Sequence, residues 1–124
     1  MKYAVLLYQD KAFEDAWERM DDAARAEVYA EFEAFSRAAE ASGATVLGGQ
    51  ELGLSNTATT VRRRATAAGD EFVVTDGPFA DVAEYLGGYF EIEARDLDHV
   101  LELVRSLPVG TTEIRPILEA EGGA

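Results

Sequence analysis

Cysteine is absent from the 124-residue chain, which excludes disulfides, thiolate metal ligands and a cysteine nucleophile. Histidine occurs once, as His99, so a zinc site built on imidazole and thiolate lacks its ligands. Basic residues are scarce: 11 Lys and Arg stand against 24 Asp and Glu, for a formal net charge of −13. A surface of that sign repels phosphate backbones and anionic headgroups, so neither nucleic acid nor a membrane is an expected partner. The short basic run Arg62-Arg63-Arg64 reads as a solvated strand face. Long apolar runs are missing as well. The one ending at Tyr8 is too short for a signal-peptide core, and none approaches the ~20 residues of a membrane span. A soluble cytoplasmic protein is the expectation. With no phosphate-cradling glycine loop, serine elbow or calcium-loop signature, no metal or other cofactor is expected.

What remains is an ordinary folding composition, 48% hydrophobic and 28% charged. Its length suits one domain able to bury roughly two-thirds of its unfolded surface. That domain is expected over 1–118, with 119–124 as a loose tail. "KYAVLLY" (2–8) alternates Tyr3, Val5 and Leu7 against Ala4, Leu6 and Tyr8. Both sets are apolar, which predicts a central strand covered on both sides.

Residues 11–20 read as a connector with at most one helical turn. A long helix follows, capped by Asp21 or Asp22 and carrying Ala24, Val28, Phe32, Phe35 and Ala39 as one apolar stripe. Gly43 suits its left-handed end. "ATVLGG" (44–49) is a short strand, and "TATTVRRR" and "DEFVVT" form a hairpin across "ATAAG". "YLGGYFEIEA" (85–94) is a further strand. A second helix starts at Asp96, with Leu97, Val100, Leu101 and Val104 expected on its buried side. "EIRPIL" (113–118) closes the chain.

The order β-α-β, hairpin, β-α-β predicts an α+β fold: a ferredoxin-like βαββαβ unit with an inserted β-hairpin and an antiparallel sheet with its helices on one face. Phe90, Ile92 and Ile114 then pack under the helices. Tyr89, Glu91, Glu93, Glu113 and Arg115 share the open face with apolar residues of the first strand. Such a face is too apolar for water and too charged for a dry core. The expectation is a homodimer whose two sheets pair face to face around a cleft.

Several stretches together resemble the YCII-related proteins, and more narrowly the branch marked by an Asp-Gly-Pro-Phe signature. They are "MKYAVLLY", "LGGQEL", "TVR" (60–62), "VTDGPFAD" (74–81), "LGGYFEIEARDLDHVLEL" (86–103) and "EIRPI" (113–117). The resemblance implies a subunit of the dimeric α+β barrel superfamily, which includes cofactor-independent monooxygenases, isomerases and lyases of small ring compounds. Some relatives are encoded beside, or fused to, alternative sigma factors. That implies a second reading, a non-catalytic regulatory or binding module. Enzymatic relatives in the wider group are thought to use a His-Asp pair. Here His99 falls at an expected helix-surface position, so the histidine half of such a pair is missing.

Asp76 is the candidate catalytic residue, a carboxylate at a strand end beside the cleft and a proton acceptor once partly desolvated. Asp-Gly-Pro is also plain turn chemistry. Arg62 and Arg115 are candidate holders of a substrate carboxylate or enolate, or else partners of local acids. Tyr8, Phe79, Tyr89 and Glu91 complete the candidate substrate-binding set. The paired Gly87 and Gly88 predict a bulge or a close backbone approach. The expected activity is cofactor-free binding of a small organic acid or ring compound, with isomerase or lyase chemistry through Asp76.

Overall fold

The computed structural model describes residues 1–79 and 83–119. In chain order its elements are β1 (Lys2–Asp10), α1 (Lys11–Arg19), α2 (Asp22–Ala41), β2 (Thr45–Glu51), a 3-10 turn (Ser55–Thr57), β3 (Thr59–Thr66), β4 (Gly69–Asp76), β5 (Glu84–Glu93), α3 (Leu97–Val104) and β6 (Thr111–Pro116). Four strands form one antiparallel sheet in the order β2-β5-β1-β6, and β3 and β4 pair only with each other. The fold is α+β, and its strand order is consistent with the ferredoxin-like arrangement.

Two-residue periodicity decides the two faces. Tyr3, Val5 and Leu7 of β1 and Ile92 of β5 are buried against Phe35 and Ala39 of α2 and Val100 and Leu103 of α3. Phe90 and Ile114 pack against the same core, on the helix side as their alternation predicts. Phe90 lies between two aromatic rings, 5.3 Å from Phe35 and 6.3 Å from Phe32 between centroids. Each fully buried side chain of this size contributes about 1.5–3 kcal/mol relative to exposure.

Helix ends follow local chemistry. The Asp21 carboxylate accepts from the Ala24 amide at 2.8 Å, and Asp96 accepts from the His99 amide at 2.9 Å. Gly43, at φ 94°, terminates α2 in the left-handed region that a side chain disfavours.

Three expectations are corrected. The supposed connector is the helix α1, because Asp10 caps it through the Phe13 amide at 2.8 Å while Phe13 and Trp17 share one face. In α3 the buried face is His99, Val100 and Leu103, whereas Leu97 and Leu101 are exposed. Val100, Leu103 and Leu107 line up at spacings of three and four, and that register turns Leu97 and Leu101 outward.

The third correction concerns His99, which is only 5% exposed rather than on the helix surface. Its Nδ1 accepts from the Arg95 amide at 3.3 Å, and its Nε2 lies 2.8 Å from Ser42 Oγ. Because Ser42 Oγ itself donates to the Ala39 carbonyl, the consistent arrangement is a neutral imidazole donating from Nε2. The imidazole thus ties the start of α3 to the end of α2. Of the expected tail, Glu119 forms an ion pair with Lys2 at 3.4 Å, and 120–124 lie outside the described residues.

Candidate functional site

A cavity of about 400 Å3 lies on the helix side of the sheet. Its floor is Leu7 and Gln9 of β1 with Gly87, Gly88 and Phe90 of β5. Its walls are Phe13 and Trp17 of α1, Val28, Tyr29 and Phe32 of α2, and the segment Glu51–Leu54. The glycines make the floor possible. A bulge between Leu7 and Tyr8 sets Gly87 beside Gln9, and a Cβ on Gly87 would meet that side chain at 2.6 Å. A Cβ on Gly88 would lie 2.9 Å from the Gln50 carbonyl. The close approach expected of this glycine pair is therefore present, and it frees space for the cavity.

The aromatic wall is fixed by its own contacts. Phe13 stacks on Trp17 with centroids 6.2 Å apart, and Tyr29 meets Trp17 edge-on at 5.5 Å. Arg25 covers Trp17 at 5.0 Å from the ring centroid and donates to the Trp17 carbonyl at 2.8 Å. The Tyr29 hydroxyl donates to the Glu51 carboxylate at 2.9 Å. Burial, and then that bond, raise the Tyr29 phenol above its ordinary value. Glu14 is 3% exposed and accepts from both the Ser55 amide (2.6 Å) and the Ser55 hydroxyl (2.5 Å). That carboxylate clips the 52–57 segment onto α1 and so closes the cavity's end.

The residues nominated from sequence fall in two other places, apart from Tyr89, which also lines the cavity. Tyr8, Tyr89, Glu91 and Arg115 share the sheet's open face. There the Tyr8 hydroxyl donates to Glu113 at 3.1 Å, and Arg115 pairs with the same carboxylate at 2.8 Å. Arg115 and then Tyr8 hold the Glu113 carboxyl below its usual range, while desolvation, followed by Glu113, raises the Tyr8 phenol. Arg115 is thus engaged by a local acid.

Asp76, Arg62 and Phe79 gather at the base of the hairpin. Arg62 sits 5.0 Å from the Phe79 ring centroid and donates to the Phe79 carbonyl at 2.9 Å. Phe79 itself is 70% exposed. Asp76 is exposed and precedes Gly77 at φ 98°. The Gly77 amide donates to the Ala58 carbonyl at 2.7 Å, and its carbonyl accepts from Thr60 Oγ1. The positive φ is what the glycine of Asp-Gly-Pro turn chemistry supplies. The remainder of the "DGPFAD" stretch, 80–82, lies outside the described residues.

Sequence reasoning missed Gln9, Trp17, Tyr29 and Glu51. One signal was present: Phe13, Trp17 and Tyr29 are three aromatic residues within 17 positions, two of them four apart behind a capping aspartate. Among the described residues no three His, Asp or Glu side chains gather as a metal site, and no helix is long and apolar enough to cross a membrane.

Comparison with known proteins gives two matches. The YCII-related domain matches residues 1–121. An uncharacterized protein of Rhizobium meliloti (strain 1021) is 32% identical over 122 residues, covering 94% of this chain and 92% of that protein.

Proposed function

Since the chain belongs to the YCII-related family, and carries a preformed aromatic cavity, we propose that it binds a small uncharged ring compound on the helix side of its sheet. One observation carries this reading: a space of about 400 Å3, within the range of small-molecule pockets, whose lining is chiefly apolar with a few convergent polar groups. Gln9, the Tyr29 hydroxyl and the Glu51 carboxylate supply those groups. Among the described lining residues Glu51 is the only formal charge, and no Lys or Arg accompanies it. The chemistry favours a ring with a hydrogen-bond donor, such as a phenol, over an organic acid, whose carboxylate would face Glu51.

Trp17 is the sole tryptophan and lines the cavity, so its fluorescence reports occupancy. Phenol and catechol should quench it saturably and raise the melting temperature, benzoate should do neither, and Val28→Phe should abolish both responses. Equal binding of benzoate, or binding that survives Val28→Phe with an unchanged circular dichroism spectrum, would remove this proposal.

We propose in addition that the chain is a homodimer formed through the open sheet face, where Ala4, Leu6, Leu86 and Tyr89 lie among Glu91, Glu93, Glu113 and Arg115. Sheet-on-sheet packing would cover that face. Isomerase or lyase chemistry would require Asp76 to reach the bound compound, and Asp76 does not line the cavity. An Asp76→Asn variant with full turnover of any compound found to react would exclude that role.

A further inference from the structure

The polar groups that line the cavity differ in what already occupies them. The Tyr29 hydroxyl reaches both oxygens of the Glu51 carboxylate, at 2.9 and 3.0 Å, so each of these groups has a partner. Gln9 does not. Its side chain is half-buried at the cavity floor, where alternation along β1 carries it to the same face as Leu7. It makes no side-chain hydrogen bond among the described residues. What seats it is Gly87. A Cβ there would stand 2.6 Å from Gln9 Cδ, 2.8 Å from Oε1 and 2.9 Å from Nε2. Near-equal distances to these three atoms mean that the glycine lies against the flat of the carboxamide rather than at its edge. The bulge opposite Leu7 and Tyr8 brings Gly87 to that place, and the Leu52 amide holds the Gly87 carbonyl at 3.0 Å. Seated by its face, the carboxamide keeps its edge free, with a donor and an acceptor side by side.

We propose that Gln9 is the specificity-determining residue of the cavity, and that the ring it selects carries a donor and an acceptor on adjacent atoms, as a cyclic amide does. The inference rests on the cavity reading above and narrows it, from a ring with a donor to a ring with a paired edge. A carboxamide and a lactam are complementary. Gln9 Nε2 donates to the lactam carbonyl while Oε1 accepts from the lactam N–H, the same two-bond pattern by which glutamine reads the edge of a base. A lactam is uncharged, so it enters a lining whose one formal charge is Glu51 without meeting repulsion. A phenol hydroxyl meets the carboxamide through a single atom and leaves half of the edge unpaired. Leu7, Phe90 and Val109 line the same cavity and offer no polar substitute. Once a bound ring has displaced water, an unpaired half of the carboxamide therefore costs affinity.

Isothermal titration calorimetry on the full chain tests this with three probes. They are 2-pyridone, phenol and N-methyl-2-pyridone, which keeps the ring and carbonyl of 2-pyridone but loses its donor. The wild type should bind 2-pyridone about tenfold or more tightly than the N-methyl compound. Gln9→Leu, a change of similar size, should bring those two affinities within about twofold of each other. Gly87→Ala should narrow the same gap with Gln9 still present, because its methyl group pushes the carboxamide off its seat. Equal binding of the two pyridones by the wild type would overturn the proposal, as would a gap that persists in Gln9→Leu. Phenol that still binds in either case leaves the cavity reading standing. A gap unchanged in Gly87→Ala would overturn the glycine seat. If none of the three probes binds, the inference and the cavity reading fall together.

Discussion

Tyr8, Glu113 and Arg115 illustrate how much a single carboxylate can organise. Glu113 accepts from a phenol on β1 and a guanidinium two residues along its own strand. Its lowered carboxyl adds stability that is present above the unfolded value, about 4.3, and is lost as pH falls through the folded value. The Tyr8 and Tyr29 phenols are shifted the other way. Their contribution is present below the ordinary value of about 10 and is lost as pH rises through the raised folded values. A spectrophotometric titration should therefore show two tyrosines ionising later than free tyrosine. Glu113→Gln should bring one of them down and Glu51→Gln the other; a titration unmoved by either variant contradicts these bonds. At this scale the sequence was partly legible. Alternation on β1, β5 and β6 placed Tyr8, Glu91 and Arg115 on one face, and Arg115 does meet a local acid. The burial of His99 was not legible, because a polar side chain enters the interior only where partners wait, and Ser42 lies 57 residues away.

Among the elements, α1 departs furthest from its sequence expectation, and the cavity depends on it. A nine-residue helix is marginal alone. It is held here by the Asp10 cap, the Arg25–Trp17 contact and the buried Glu14 carboxylate. Glu14→Ala leaves the Ser55 amide without its acceptor and should destabilise the protein by about 1–3 kcal/mol in urea unfolding followed by Trp17 fluorescence. The same change should weaken phenol binding, since the 52–57 segment closes the cavity. Unchanged stability would show that the clip contributes nothing. The sheet and α2 were readable because periods of two and 3.6 leave long, unambiguous stripes. In α3, a helix of eight residues, apolar side chains stand on two sides, and only packing against α2 decides between them.

For the molecule as a whole, the four-stranded sheet with its helices holds the described core, while the hairpin contributes nothing to it. Local opening should follow that division. In hydrogen exchange, β1 amides should exchange slowest and β3–β4 amides much sooner. Equal protection would mean that the hairpin is part of the same cooperative unit. The cavity was beyond sequence reading because no residue pattern encodes an empty volume. It arises where α1, α2 and the glycine floor of β5 fail to meet.

A ribbon that pairs only with itself and shares none of the core residues has freedoms that the rest of the chain lacks. Its length, tip and charge can drift without disturbing the buried residues beneath the helices. Exchanging β3–β4 between family members would then be a graft rather than a redesign, leaving the aromatic chamber as it was.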